Sequence, residues 1–204
     1  MNIRSLLICS ALVTSSFAAD DEKDFKQLFN GKDLAGWHVR NPGATNHWKV
    51  VDGVLLNDLQ QGEHGVDLIT DQKYWNFTVR YEYSVPENSN SGFYLRGRHE
   101  IQILGDAKSG KPAKGGNGAI YNTIAPSVYA GKPAGEWQTV EATMIGNKVT
   151  VTLNGVKIHD NVTVDKATGS ELDTKVTEPG PFFLQGDHGR VSFRNIRVKE
   201  LPKE

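Results

Sequence analysis

The sequence predicts an all-β sandwich or jelly roll. Three observations carry that expectation: short apolar and aromatic runs that alternate with polar residues, turn dipeptides set between them, and almost no helical periodicity across 204 residues. Successive side chains of a strand point to opposite faces, so alternation marks one buried face and one polar face. Asn-Gly and Asp-Gly suit hairpin turns that need positive φ. The clearest turn signals are Asn30-Gly31, Asp52-Gly53, Gly146-Asn147 and Asn154-Gly155. Many short strands with regular turns point to a sandwich.

Residues 1–19 read as a secretory signal peptide. Arg4 gives a positive start, Leu6 to Val13 an apolar centre, and Ser16-Phe17-Ala18 a small-x-small cleavage pattern. The stretch is too short to span a membrane as a mature helix. Cleavage after Ala18 or Ala19 leaves one domain, 20–204, expected to be secreted or periplasmic in a bacterium. Cys9 is the only cysteine, and the bulky Ile8 before it argues against lipidation. The mature domain therefore relies on its core rather than on disulfides. A net charge of -1 with no basic patch excludes nucleic acid as a partner.

The elements follow in chain order. Asp24–Phe29 and Asp71–Tyr74 each suit one helical turn, and Trp37 and Trp48 suit the core. In Thr78–Ser84, Val79, Tyr81 and Tyr83 share one face, and Arg80 and Glu82 share the other. Asn88–Asp106 reads as two short strands joined at Gly97-Arg98. Tyr94 and Arg96 share a face of the first; Glu100 and Gln102 share a face of the second, opposite Ile101 and Ile103. Residues 104–119 form the longest irregular stretch, a length at which loops are often functional. Thr139–Asp160 predicts a three-stranded meander. Phe182–Gln185 and Val191–Lys199 close the fold.

A sheet face bearing carboxylate, guanidinium, amide and phenol suits a polar ligand, sugars above all; a plain solvated face has the same pattern. Other chemistries are poorly served. No G-x-S-x-G elbow occurs, and the mature chain has no thiol. Gly115-Gly116-Asn117-Gly118 lacks the context of a phosphate loop. Histidines 38, 47, 64, 99, 159 and 188 do not pair at metal-ligand spacing. His188 stands out because it lies in the turn-rich Leu184-Gln-Gly-Asp-His-Gly189, and such loops carry function often. Trp75 and Trp137 are open between core packing and sugar stacking.

A set of motifs then resembles one family in order along 25–201. They include Phe25-Lys-Gln-Leu-Phe-Asn-Gly-Lys-Asp-Leu-Ala-Gly-Trp37, Trp48-Lys-Val-Val-Asp-Gly-Val54 and Asp67-Leu-Ile-Thr70. Asn90-Ser-Gly-Phe-Tyr-Leu-Arg96, Glu100-Ile-Gln-Ile-Leu104, Gly118-Ala-Ile-Tyr121, Gly135-Glu-Trp137, Leu153-Asn-Gly155, Leu184-Gln-Gly-Asp-His-Gly189 and Phe193-Arg-Asn-Ile196 continue the series. The chain in this respect resembles the 3-keto-disaccharide hydrolase domain family. One departure is Gly105, where the family often has an aspartate before Asp106. The resemblance implies a concanavalin A-like jelly roll of two antiparallel sheets. It also implies a secreted hydrolase that cleaves glycosides already oxidised at C3.

A 3-keto sugar has an acidic C2 proton and a β leaving group at C1. Cleavage therefore needs a base near C2, donors for the C3 oxygen, and an acid for the leaving oxygen. The expected catalytic residues are Glu100 or His188 as base, Arg96 at the oxyanion, and Tyr121 as proton donor. Gln102, Glu82, Tyr94, Asn90, Gln185 and Trp137 are expected to bind substrate, with Glu82 also able to pair with Arg96. No cofactor is predicted; a divalent metal on Glu100 is an option that spacing does not support. A carbohydrate is the expected ligand, and a sugar 3-oxidoreductase acting upstream the expected partner. The alternative is a non-catalytic carbohydrate-binding module on the same fold.

Overall fold

Two antiparallel sheets face each other across an aromatic core. The computed structural model describes residues 22–60 and 62–203; the predicted signal peptide and Cys9 lie outside them. In chain order the strands are β1 (Lys26–Gln27), β2 (Trp37–Val39), β3 (Trp48–Val51), β4 (Val54–Asn57), β5 (Leu68–Thr70), β6 (Phe77–Ser84) and β7 (Asn90–Leu95). They continue as β8 (His99–Leu104), β9 (Gln138–Ile145), β10 (Lys148–Leu153), β11 (Val156–Thr163), β12 (Phe183–Leu184) and β13 (Val191–Glu200). The larger sheet runs β11-β10-β9-β6-β13-β4-β3, with β1 also on β13; the smaller runs β2-β5-β12-β7-β8. No helix among the described residues is long and apolar enough to cross a membrane.

Local sequence explains most of this. The β3–β4 turn uses Asp52 and Gly53, and the β10–β11 turn uses Asn154 and Gly155, all at positive φ. The predicted meander is β9-β10-β11. Val79, Tyr81 and Tyr83 of β6 face inward, as do Phe93, Leu95, Ile101 and Ile103 of β7 and β8. Across the sandwich Tyr81 stacks on Phe93 at 4.0 Å between ring centroids. Trp37 and Trp48 join this core, and their indole N–H groups donate to Leu28 O and Val66 O, each at 2.7 Å. Buried indoles need such partners.

The two expected helical turns do not form. β4 covers only Val191–Phe193 of its edge of β13, and Lys26–Gln27 fills part of the remainder as β1. Tyr74 instead closes a bridge with Gly180. In both places tertiary pairing overrides a short local preference, because one helical turn satisfies few backbone groups.

Candidate functional site

The smaller sheet has a second, outward face. Ile69, Tyr94 and Phe183 form a separate apolar cluster there, capped by Leu172, with Tyr94 and Phe183 stacked at 3.8 Å. Register places Glu100 opposite Tyr94 and Gln102 opposite Gly92 on this face. Gly92 has a steric reason to be glycine: a Cβ there would meet Glu100 Oε1 at 2.2 Å. Without it the Glu100 side chain lies across β7.

Glu100 is 2% exposed. Burial pushes its carboxyl up to about 7; the Tyr94 hydroxyl and the charge of His188 oppose the rise, while Asp67 and Asp187 reinforce it. Tyr94 Oη lies 2.7 Å from Glu100 Oε2 and 2.8 Å from Gly169 O. One phenolic proton cannot serve both acceptors fully. A protonated Glu100 resolves the conflict by donating to Tyr94, which then donates to Gly169 O. Ionised Glu100 draws the phenolic proton back. The carboxyl is thereby built to exchange a proton near neutrality, as a general base requires.

Around it stand polar groups with unmet capacity. Asn90 Oδ1, Gln102 Oε1 and Gln185 Oε1 are buried without a hydrogen-bond partner among the described residues. Such orphans cost free energy until a ligand or water donates to them. Gln185 follows β12, and its N–H donates to Gly92 O at 2.9 Å, which keeps it beside β7.

His188 is exposed and bonded through Nδ1 to Asp187. That bond raises its pKa; burial opposes, and the charges of Asp187, Glu100 and Asp67 add to the rise. The turn that bears it is anchored from afar. Asp67 Oδ1 accepts from Gly186 N at 3.0 Å, and its Oδ2 accepts from Arg40 Nη1 at 3.2 Å. Arg40 also donates to Ser170 O and Glu171 O, both at 3.0 Å, and so fixes the loop that walls the site. Burial raises the Asp67 carboxyl, with the Gly186 amide pulling against it. Tyr121 borders the same face: its N–H donates to Glu100 O at 3.1 Å, and its ring lies 3.7 Å from a Cβ built at Gly169.

Of the residues expected from sequence, the structure gathers Glu100, His188, Tyr94, Gln102, Asn90 and Gln185, with Tyr121 at the rim. Three expectations need correction. Arg96 lies at the end of β7 with φ 53°, so the alternation that would put it beside Tyr94 breaks there. Its buried guanidinium donates twice to Trp75 O and stacks on the Trp75 ring at 3.6 Å. Glu82 belongs to the larger sheet. It accepts from Arg194 at 2.8 Å and Asn195 at 2.6 Å, and forms no pair with Arg96. Trp137 sits on that same sheet's outer face, under Arg194 at 4.0 Å.

Gly105 also finds its reason. A Cβ there would stand 2.0 Å from Pro86 O, so this backbone has no room for an aspartate. Asp106 latches the 104–119 loop by accepting from Asn117 N and Tyr129 OH, both at 3.2 Å. Among the described residues no three His, Cys, Asp or Glu side chains converge to hold a metal ion. Asp67, Arg40 and Asp187 were not singled out as site residues. Asp187 could have been found as the neighbour of His188 in the segment already marked.

The same architecture recurs in known structures. A candidate glycosyl hydrolase from Parabacteroides distasonis ATCC 8503 superimposes with a TM-score of 0.72 at 30% identity, covering 88% of this chain and 84% of its own. A second from that organism gives 0.73 at 24% identity, covering 91% and 98%. The carbohydrate-binding module CBM66 from Bacillus subtilis shares the fold alone, with a TM-score of 0.50 at 14% identity over 81% and 96%. No curated protein matches the chain. The first of these, together with the family match, supports a glycoside-cleaving or carbohydrate-binding role on a concanavalin A-like jelly roll. The 3-keto-alpha-glucoside-1,2-lyase-like domain model matches residues 24–199, and the chain belongs to that family.

Proposed function

We propose that this protein cleaves 3-keto-glycosides by elimination and hydration, with Glu100 as the base at C2. The observation that carries the reading is a buried carboxyl poised near neutrality, held by Tyr94 and ringed by unpartnered amide oxygens on one sheet face. A binding module needs the amides but has no use for such a base.

Ionised Glu100 takes the C2 proton, and the C–H electron pair moves into the enolate. The enolate collapses to the ketone, a C1–C2 double bond forms, and the C1–O bond to the aglycone breaks. His188, whose hold on its proton Asp187 strengthens, gives that proton to the leaving oxygen. Water then adds at C1, its proton returns to His188, and Glu100 returns a proton to C2. The imidazolium supplies the positive charge near the enolate that was expected of Arg96, whose guanidinium is engaged with Trp75. Asn90, Gln102 and Gln185 accept from sugar hydroxyls, and Tyr121 lines the rim. The ketone must come from an upstream sugar 3-oxidoreductase, and the export signal expected in residues 1–19 would put the reaction outside the cytoplasm.

The test is incubation of the protein with methyl glucoside and its 3-keto counterpart, following methanol release. Release from the keto form alone is expected. Cleavage of the unoxidised glucoside would point to two-carboxylate hydrolysis. Binding without release would make this a carbohydrate-binding module.

A further inference from the structure

A polar cleft of about 490 Å³ lies beside the site, and His188 forms part of its wall. Its other walls include Gln60, Glu63, Asn88, Ser89 and Arg190, over an apolar floor of Leu59 and Pro86. The cleft continues the site in two ways. His188 belongs to both, and Ser89 is followed directly by Asn90, whose orphaned oxygen lies on the Glu100 face. Outward residues of β7 run Tyr94, Gly92, Asn90, so the face extends about 13 Å from Glu100's partner to the cleft's edge, at ~3.3 Å per residue. One pyranose does not fill that distance.

The cleft is also prebuilt. Asn57 Nδ2 donates to Gly186 O at 2.9 Å and Gly189 O at 3.0 Å, fixing the turn behind His188. Ser89 Oγ donates to Arg190 O at 2.7 Å, and a Cβ at Gly189 would meet that hydroxyl at 2.3 Å. Its charges are already engaged: Arg190 Nη1 lies 2.5 Å from Asp58 Oδ1, Glu87 pairs with Lys108, and Glu63 Oε2 accepts from Gln60 N at 2.8 Å. Among the described residues, no phenylalanine, tyrosine or tryptophan is among its walls.

We infer that this cleft receives the leaving group, and that it selects a hydroxyl-rich one over a flat aromatic one. The inference rests on the 3-keto-glycosidase reading. Carboxylate, amide and backbone oxygens there suit O–H donors. An aryl group finds no phenyl, phenol or indole ring to stack on, and an anionic one finds Arg190 already paired.

Two variants test it without touching Glu100 or His188. Asn88 has φ 60°, so Asn88→Gly removes the amide and keeps the backbone conformation. Exposed Gln60 becomes a plug as Gln60→Trp. Each should lower kcat/KM about tenfold for the 3-keto form of a glucosyl-glucose disaccharide. Values for methyl and 4-nitrophenyl 3-keto-glucosides should stay within about twofold. Equal loss on all three substrates, or no loss on any, overturns the inference. If no ketone is cleaved, the enzyme reading fails, and a second readout still judges the cleft. On titrating nitrogen-15-labelled protein with the unoxidised disaccharide, the amides of Ser89, Gly189 and Arg190 should shift; with methyl glucoside they should not. Stationary amides in both titrations would sink the assignment.

Discussion

The two outward sheet faces treat a glutamate in opposite ways. On the larger sheet, Glu22 accepts from Arg197 at 2.6 and 2.7 Å and from Arg80 at 3.1 Å, and those guanidinium groups hold its carboxyl below the ordinary range. On the smaller sheet, Glu100 is met by a phenol, and burial raises its carboxyl to about 7. Arg80 also pairs with Glu141 at 2.7 Å, and Arg194 with Glu82. The lesson concerns environment rather than residue type. A carboxylate clamped by arginine has settled its charge and contributes structure; one buried without an arginine clamp keeps its proton negotiable, which suits chemistry.

The contrast fails if both faces respond alike to mutation. The largest expected effect is on rate: Glu100→Gln should lower kcat on a 3-keto-glycoside by about 10³-fold. Glu82→Gln should leave kcat within about twofold. Comparable losses in the two would erase the distinction between the faces.

Next is stability against pH. The folded Glu100 binds its proton more tightly than a free glutamate, at about 7 against 4.5. The native state therefore holds more protons than the unfolded state between those values, and its stability falls as pH rises through that window. A gap of 2.5 units corresponds to about 3 to 4 kcal/mol at ~1.4 kcal/mol per unit. Urea melts at pH 4 and pH 8 should show wild type losing about that much relative to Glu100→Gln. Parallel curves would mean the carboxyl is not desolvated.

His188→Ala follows, with about a 10²-fold loss in rate and an unchanged fold by circular dichroism. Tyr94→Phe sharpens the picture further. Wild-type kcat/KM should climb as Glu100 ionises near 7 and fall as His188 loses its proton. Without the phenol, which favours the ionised carboxylate, the rising limb should move to higher pH. A fixed limb would show that Tyr94 does not govern Glu100. The smallest effect belongs to the paired face. Arg194→Ala should cost about 1 kcal/mol in urea melts while kcat stays within about twofold.

Period-two reasoning read the strands well, because alternation is a local property of the chain. Ile101 and Ile103 against Glu100 and Gln102 is the clearest case, and the turns at Asp52-Gly53 and Asn154-Gly155 are others. Arg96 shows where that logic stops: a single positive φ at the strand's end redirected the side chain. Glu82 and Trp137 show a second limit. Alternation says that a residue faces outward, but not from which of two sheets. Asp67 shows a third, since its partner Gly186 lies far along the chain and only the folded topology joins them. The resemblance to the family narrowed the sandwich to a concanavalin A-like jelly roll and implied the chemistry; it did not supply these placements.

The most direct test of the central claim follows the C2 proton itself. Wild-type protein and Glu100→Gln would be incubated with methyl 3-keto-glucoside in deuterium oxide, quenched early with borohydride, and the released sugar examined for deuterium at C2. Proton removal followed by water addition predicts deuterium at that carbon in the wild-type product, and negligible product from Glu100→Gln. A released sugar that retains its original C2 proton, together with a kcat/KM unchanged by deuterium placed at C2 of the substrate, would contradict the account, because return of the same proton by Glu100 would then not explain the retention.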